Sequence, residues 1–477
     1  MNLANKTEES VISTFISKII FNNGQELSIN RNDIVLFVGP NNAGKSQALL
    51  DLYARCKNNL NTIVLKDIEI TKGSEGSLIP LIKRASYLRE HGSSYKFILN
   101  NIEYEFNKTS GDSRFRNLKN YGDFTNLLVC KLNTSNRLSI CSPAKTINRN
   151  DSRSSPIHYA SFDYEYAHWL SENFYKAFGS NLTANILNGQ EIPLCIGPTV
   201  SLTNIYNNEL ERQIKFADIL DSYKKVHLQG DGIKSFTGIL LYLMLDYYRT
   251  YLIDEPESFL HPPQARIMGQ IIGNTLKEDQ QAFISTHSEE IIKGLLDVCS
   301  ERLKVVRITR NGDSNSFSIL DNEKVKSVFA DPLLKYSNIM SSLFHKTVIL
   351  CESDSDCKFY SLIEEHLKLS EGKYSESLFI QCGGKDRMTK IAKSLLSLEV
   401  DVRLIPDIDI LDRESLVKDV ADTFGIDWQN IEKDYRILSS DLKNTQEKII
   451  RNIFRNNVNR IIDATHEKFL SSKEVSE

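Results

Sequence analysis

From Val35 an apolar, β-favouring run passes into Gly39-Pro40-Asn41-Asn42-Ala43-Gly44-Lys45-Ser46 and on into the helical stretch Gln47-Ala48-Leu49-Leu50-Asp51-Leu52-Tyr53. These are the residue types that wrap anionic oxygens. Gly39 and Gly44 let backbone N–H groups turn inward, with Asn41, Asn42 and Gln47 completing the phosphate-facing loop. Lys45 reaches the β- and γ-phosphates, and the Ser46 hydroxyl ligates Mg2+. The helix start adds its partial positive charge. The spacing predicts a strand–loop–helix unit that binds a nucleoside triphosphate; a lysine-bearing glycine turn is the bland alternative.

Three further groups carry chemistry. Tyr251-Leu252-Ile253-Asp254-Glu255-Pro256-Glu257 is an apolar run ending in acids. Such a strand delivers Asp254 to the Mg2+ shell and places Glu255 to polarise an attacking water. Ala282-Phe283-Ile284-Ser285-Thr286-His287-Ser288 is another short strand, ending in hydroxyls and a histidine. His287 is positioned there to donate to a γ-phosphate oxygen. In the last third, Glu352 ends the run Thr347–Cys351, with Asp356 four residues on; Gly383-Gly384-Lys385 comes after a second run, and Asp407-Ile408-Asp409 after a third. Strand–helix alternation at this spacing implies a small parallel sheet. The carboxyl ends of its strands would share an edge, so Glu352, Asp407 and Asp409 are expected to converge there on Mg2+ or Mn2+. Two such ions clamp the attacking and leaving oxygens of a phosphodiester. Surface carboxylates at strand ends are the plainer alternative.

The elements that must position these residues need more than one core. A chain of 477 residues predicts two or three domains. A net charge of -4 excludes a global basic field, so a nucleic-acid site would be a local patch. The beginning lacks a secretory apolar core, and the most apolar run, Gly238–Leu245, is too short to span a bilayer. Eight cysteines lie scattered without a Cys-x-x-Cys pair, against a disulfide framework or zinc site. A cytoplasmic protein without a membrane partner is expected.

The nucleotide motifs resemble the Walker A, Walker B/D-loop and H-loop of ABC-type ATPases, nearest to those that work on DNA beside the SMC proteins. In that family ATP is sandwiched between two heads, and a signature loop of one contacts the nucleotide of the other. The candidate signature is Leu228-Gln229-Gly230-Asp231-Gly232-Ile233-Lys234-Ser235, in which Gln229 replaces a serine and Asp231 a glycine. Read from the residues alone, it is also a helix-capping turn.

The order Glu, Gly-Lys, Asp-x-Asp resembles a TOPRIM domain, with Ser353 where a glycine commonly follows the glutamate. A head joined to a TOPRIM domain resembles the OLD (overcoming lysogenisation defect) nucleases, over about Ile19–Leu65 and Val226–Asp412. The resemblance implies an α/β chain: an ABC/SMC-type P-loop ATPase head at 1–335, then a C-terminal TOPRIM domain at 345–477 with a helical tail. The head carries a mainly helical insertion within about 67–218, where β-rich arm material comes first and a helical part that in relatives makes a dimer interface follows. The resemblance also implies an ATP-binding, Mg2+-dependent DNA endonuclease or nickase, an anti-phage effector of the Gabija-like or retron-associated kind. Its partners would be DNA, a second copy or more of itself, and a helicase-like protein or a reverse transcriptase with its nucleic acid. The alternative is an SMC-like DNA-binding ATPase or sensor whose TOPRIM domain does not cleave.

OLD nucleases usually carry a catalytic lysine beyond the Asp-x-Asp strand; Lys433, Lys443 and Lys448 are all candidates. In the tail, Ile450, Phe454, Val458 and Ile461 make an apolar stripe beside the basic Lys448, Arg451 and Arg455, a solvated face or a nucleic-acid contact.

Overall fold

The computed structural model describes residues 10–445, apart from 87, 100–101, 149–150, 152, 201–207, 313, 321 and 331–337, together with 455–456 and 459–460. The tail stripe around Ile450 and the candidates Lys443 and Lys448 lie outside the described side chains. One compact unit comprises Met1–Ile349, Ser361–Ile380 and Ser394–Arg403; the other comprises Leu350–Tyr360, Gln381–Lys393 and Leu404–Glu477.

The first unit is organised by a six-stranded sheet. Its strands are β1 (Ile34–Val38), β2 (Val129–Leu132), β3 (Thr250–Asp254), β4 (Gln281–Ser285), β5 (Leu303–Asn311) and β6 (Ser314–Leu320). They lie in the order β6-β5-β1-β4-β3-β2. All neighbours are parallel except β5 and β6, which form an antiparallel hairpin. Every residue of β1 and β4 is buried, as continuous apolar runs in a covered parallel sheet should be. The register pairs Asp254 with Ser285 and Ser285 with Phe37. The carboxyl ends of β1, β3 and β4 therefore open at one level of one edge.

Five helices matter to that edge: α1 (Lys45–Cys56), α2 (Thr134–Ser139), α3 (Asp231–Leu243), α4 (Pro262–Thr275) and α5 (Glu289–Cys299). The crossing of α2 and α3 is close enough that a Cβ on Gly238 would stand 2.0 Å from the Arg137 carbonyl oxygen. Only glycine fits there.

The segment at about 67–218 begins with strands and carries its longer helices later. Leu65–Lys72 pairs antiparallel with Thr14–Phe21, and Arg89–His91, Ser94–Leu99 and Ile102–Asn107 form a three-stranded antiparallel sheet. Helices come later at Pro156–Phe162, Tyr164–Phe178 and Glu209–Ser222. Within the same segment, β2 is the edge strand of the central sheet, paired with β3 from Thr250↔Val129 to Ile253↔Leu132. Four residues are too few for periodicity to announce a strand, and the pairing partner supplies what local pattern does not.

The last third holds β7 (Thr347–Cys351), α6 (Asp354–Ser370), β8 (Ser377–Gln381), α7 (Lys385–Ser397) and β9 (Asp401–Ile405), with the strands ordered β8-β7-β9. Two helices, Glu414–Thr423 and Trp428–Thr445, come after. The apolar side chains of α6 at Phe359, Leu362, Ile363 and Leu367 are exposed rather than packed. Among the described residues no helix is long and apolar enough to cross a membrane. All eight cysteines are free thiols, seven of them buried.

Candidate nucleotide site and a second carboxylate site

The loop after β1 is shaped by backbone conformations that favour glycine. Gly39 has φ 139° and Gly44, which opens α1, has φ 101°. A Cβ on Gly39 would stand 2.0 Å from the Ile308 carbonyl oxygen of β5, so the loop lies directly against that strand. Asn42 takes φ 58°, which asparagine tolerates better than most residues. Asn315, on β6, donates from Nδ2 to the Ala43 carbonyl at 2.7 Å and ties the loop to the hairpin. Lys45 is 4 % exposed, and its Nζ donates to the carbonyls of Gly39 (2.9 Å) and Pro40 (2.7 Å). Burial pulls its pKa down to about 8 against the opposing pull of Glu255, Glu257 and Asp254. Gln47 turns along its own helix, donating to Asp51 Oδ1 at 2.7 Å.

Across the edge, the Ser285 hydroxyl donates to Asp254 Oδ1 and fixes that carboxylate at the end of β3. Glu255 comes next in a left-handed conformation, φ 47°, unusual for a side chain of its size. Its N–H donates to the Ser285 carbonyl at 3.0 Å, and its Oε2 accepts from the Ser258 hydroxyl at 3.2 Å. Glu255 Oε1 lies 3.5 Å from His287 Nε2. The His287 N–H in turn donates to Glu257 Oε1 at 2.6 Å, while Glu257 Oε2 is buried without a partner. Burial raises the Glu257 pKa and lowers that of His287, where the Lys45 charge adds to the effect. A cation, three acids and a neutral imidazole thus meet beside a helix N-terminus. Groups of these types so placed are chemically able to grip phosphate oxygens and to align a water.

The structure brings Lys45, Asp254, Glu255 and His287 together as expected and adds Arg137, which no motif announces. Arg137 is fully buried on α2 and donates to the Glu255 carbonyl at 2.8 Å and to the Asp254 carbonyl. The candidate signature opens α3, with Leu228 72 % exposed, Gly230 and Asp231 exposed, and Asp231 paired to Lys234 at 2.7 Å.

A second cluster is built where β7, β8 and β9 end. The Glu352 carboxylate accepts the Lys385 N–H at 3.2 Å, at the start of α7, and the Asp407 N–H at 3.4 Å. The Glu352 carbonyl accepts the N–H groups of Gly383 (3.1 Å) and Gly384 (3.2 Å). Lys385 Nζ pairs with Asp409 Oδ2 at 2.5 Å. Asp356 accepts from the N–H (2.9 Å) and hydroxyl (2.7 Å) of Ser353, which closes the turn into α6. Among the described residues no three His, Cys, Asp or Glu side chains gather into a group that would hold an ion.

Residues 34–293, more than half the chain, match the family described as "AAA domain, putative AbiEii toxin, Type IV TA system". The chain belongs to that family. As an AAA-domain protein it is a P-loop ATPase, a family that uses a nucleotide and typically Mg2+. An ATP/GTP phosphatase of Helicobacter pylori is 34% identical over 102 residues, 20% of this chain and 26% of the relative. The Old nuclease of Escherichia phage P2 is 21% identical over 165 residues, 33% of this chain and 27% of the relative. The chain thus spans about a quarter of the length of each of these two relatives. Among solved structures, the SmcHead bound to the C-winged helix domain of ScpA is similar at a TM-score of 0.38 and 12% identity. That likeness covers 66% of this chain and 100% of the other.

Proposed function

We propose that this AAA-domain protein is an ATP hydrolase of ABC/SMC type that drives Mg2+-dependent cleavage or nicking of DNA by a C-terminal TOPRIM domain. It would be a cytoplasmic OLD-type effector of anti-phage defence. In the head, Lys45 neutralises the β/γ-phosphate oxygens, and Ser46 and Asp254 are the oxygen donors for Mg2+. Glu255 takes the proton of the attacking water, and His287, kept neutral by burial, donates to the γ-phosphate. Bound Mg2+ supplies positive charge to the phosphates. The heads pair as a homodimer or higher homo-oligomer, with the loop 228–231 of one copy facing the nucleotide of the other.

The observation that supports the nuclease reading is the hydrogen bonding that links three strand ends: the Glu352 carboxylate takes the N–H groups of Lys385 and Asp407, and the Asp409 carboxylate takes Lys385 Nζ. Mg2+ asks for only one or two protein carboxylates when phosphate oxygens and waters complete its shell, so Glu352 alone, or with one acid after β9, would be enough to hold it. Lys385 supplies a fixed cation for the phosphodiester.

Supercoiled plasmid incubated with the protein and Mg2+ or Mn2+ tests the reading. Nicking is expected, faster with ATP, and absent in Glu352→Gln although ATP binding persists. In Glu255→Gln, ATP binding should survive while hydrolysis slows by roughly 10²–10⁴-fold. The pairing of Asp409 with Lys385 favours a second reading, a sensor that grips DNA without cutting it. Intact plasmid under both metals, with the protein still retaining it, would select that reading.

A further inference from the structure

Arg137 presents a puzzle of energetics. A fully buried guanidinium is costly unless its donors are satisfied. Its burial depresses its pKa against the pull of Asp254, Glu257 and Glu255. Its hydrogen bonds run to main-chain carbonyls and hydroxyls: Nη1 to Asp254 O, Nη2 to Glu255 O at 2.8 Å and Thr134 Oγ1 at 3.3 Å, and Nε to the buried Ser235 hydroxyl at 2.8 Å. The two carbonyls belong to the acids that face the phosphates. Glu255 holds a left-handed φ of 47°, which persists only where its surroundings over-determine it. Ser285 fixes its N–H side and Arg137 fixes its carbonyl side.

Ser235 lies in the first turns of α3, just beyond the exposed Leu228, Gly230 and Asp231. The glycine crossing at Gly238 leaves no slack between α3 and the Arg137 backbone. A shift of the α3 start is therefore passed to Arg137, and through it to the peptide that aims the Glu255 carboxylate.

We propose that Arg137 is a positioning residue which, through Ser235, ties the loop at 228–231 to the aim of Glu255, so that turnover rather than nucleotide affinity depends on the pair. The proposal rests on Glu255 being the group that activates water. Ser235→Ala removes one hydroxyl and leaves the guanidinium in place, so it avoids the folding risk of Arg137→Ala. It should lower the ATPase kcat by about tenfold, the size of one lost hydrogen bond to a charged group, with the ATP Kd within about twofold of wild type. Arg137→Lys, which keeps the charge on a shorter reach, should fall between wild type and Arg137→Ala. In a Glu255→Gln background, Ser235→Ala should cost nothing further, because both act through one group. An unchanged kcat in Ser235→Ala, a loss appearing only as weaker Kd, or a full additional loss beside Glu255→Gln would each overturn the proposal. Wild-type protein that binds ATP but never turns it over would instead remove the role given to Glu255.

Discussion

His287 sits between two glutamates in two different ways: its ring nitrogen stands 3.5 Å from Glu255 Oε1, and its own N–H is held at 2.6 Å by Glu257. The ring is held beside the Glu255 carboxylate while the backbone is anchored on Glu257. Because burial lowers the His287 pKa below its ordinary 6.5, the unfolded chain takes up a proton first as pH falls. The contribution of His287 to stability is therefore complete above about pH 6.5 and declines below it. Urea melts at pH 7.5, 6.5 and 5.5 should show wild type losing more stability over the lower step than His287→Gln does. Parallel losses in both proteins would place the acid sensitivity elsewhere.

Lys45 predicts a pH dependence of opposite sense for binding. With its pKa near 8, the ammonium deprotonates in free protein as pH rises past that value. ATP affinity measured by calorimetry should hold from pH 7 to 8 and then weaken. Lys45→Ala should bind roughly 100-fold more weakly, or not at all, and show no such break.

Gly39→Ala should destabilise strongly. The new methyl would meet the Ile308 carbonyl at 2.0 Å in a conformation that alanine avoids. A loss of about 3 kcal/mol is expected from overpacking against a sheet that cannot yield. A thermal midpoint within a degree of wild type would show that the loop is free of β5.

If two heads share nucleotide, ATPase activity per chain should fall on dilution, while sedimentation shows dimer giving way to monomer. Concentration-independent turnover by a monomer would remove the sandwich.

Lys385→Met leaves the Asp409 carboxylate without its cation and should lower DNA nicking by at least about tenfold, with the ATPase rate unchanged. A nicking rate that survives the substitution would make Lys385 a structural partner of Asp409 alone.

The local motifs were readable because their chemistry is written in consecutive residues: Gly39 to Ser46, Asp254-Glu255 and Ser285 to His287 each announce a strand end and the polar turn attached to it. Arg137 was not readable. It acts on a carbonyl 118 positions away, and an arginine in a short helix carries no local sign of that destination. The strand Val129–Leu132 was hidden for the same reason, its role being set by β3. Pro256 and the Ser258 N–H on the Glu255 carbonyl mark a turn there, but the left-handed φ of Glu255 itself is framed by distant partners, Ser285 and Arg137. At the second cluster the acids were legible as strand-end residues, but the turn in which Asp356 accepts from Ser353 was not. The ion pair from Lys385 to Asp409 was not legible either, because 24 positions separate its two members.

The mid-chain origin of β2 limits how this protein can be dissected. Removing residues 67–218 as though they were an appendage would strip β3 of its outer neighbour and expose Thr250-Tyr251-Leu252-Ile253 as an open, apolar edge. Such an edge pairs readily with another chain. The shortened protein should self-associate into sheets along that border, and its failure to behave in solution would say nothing about what the excised residues do.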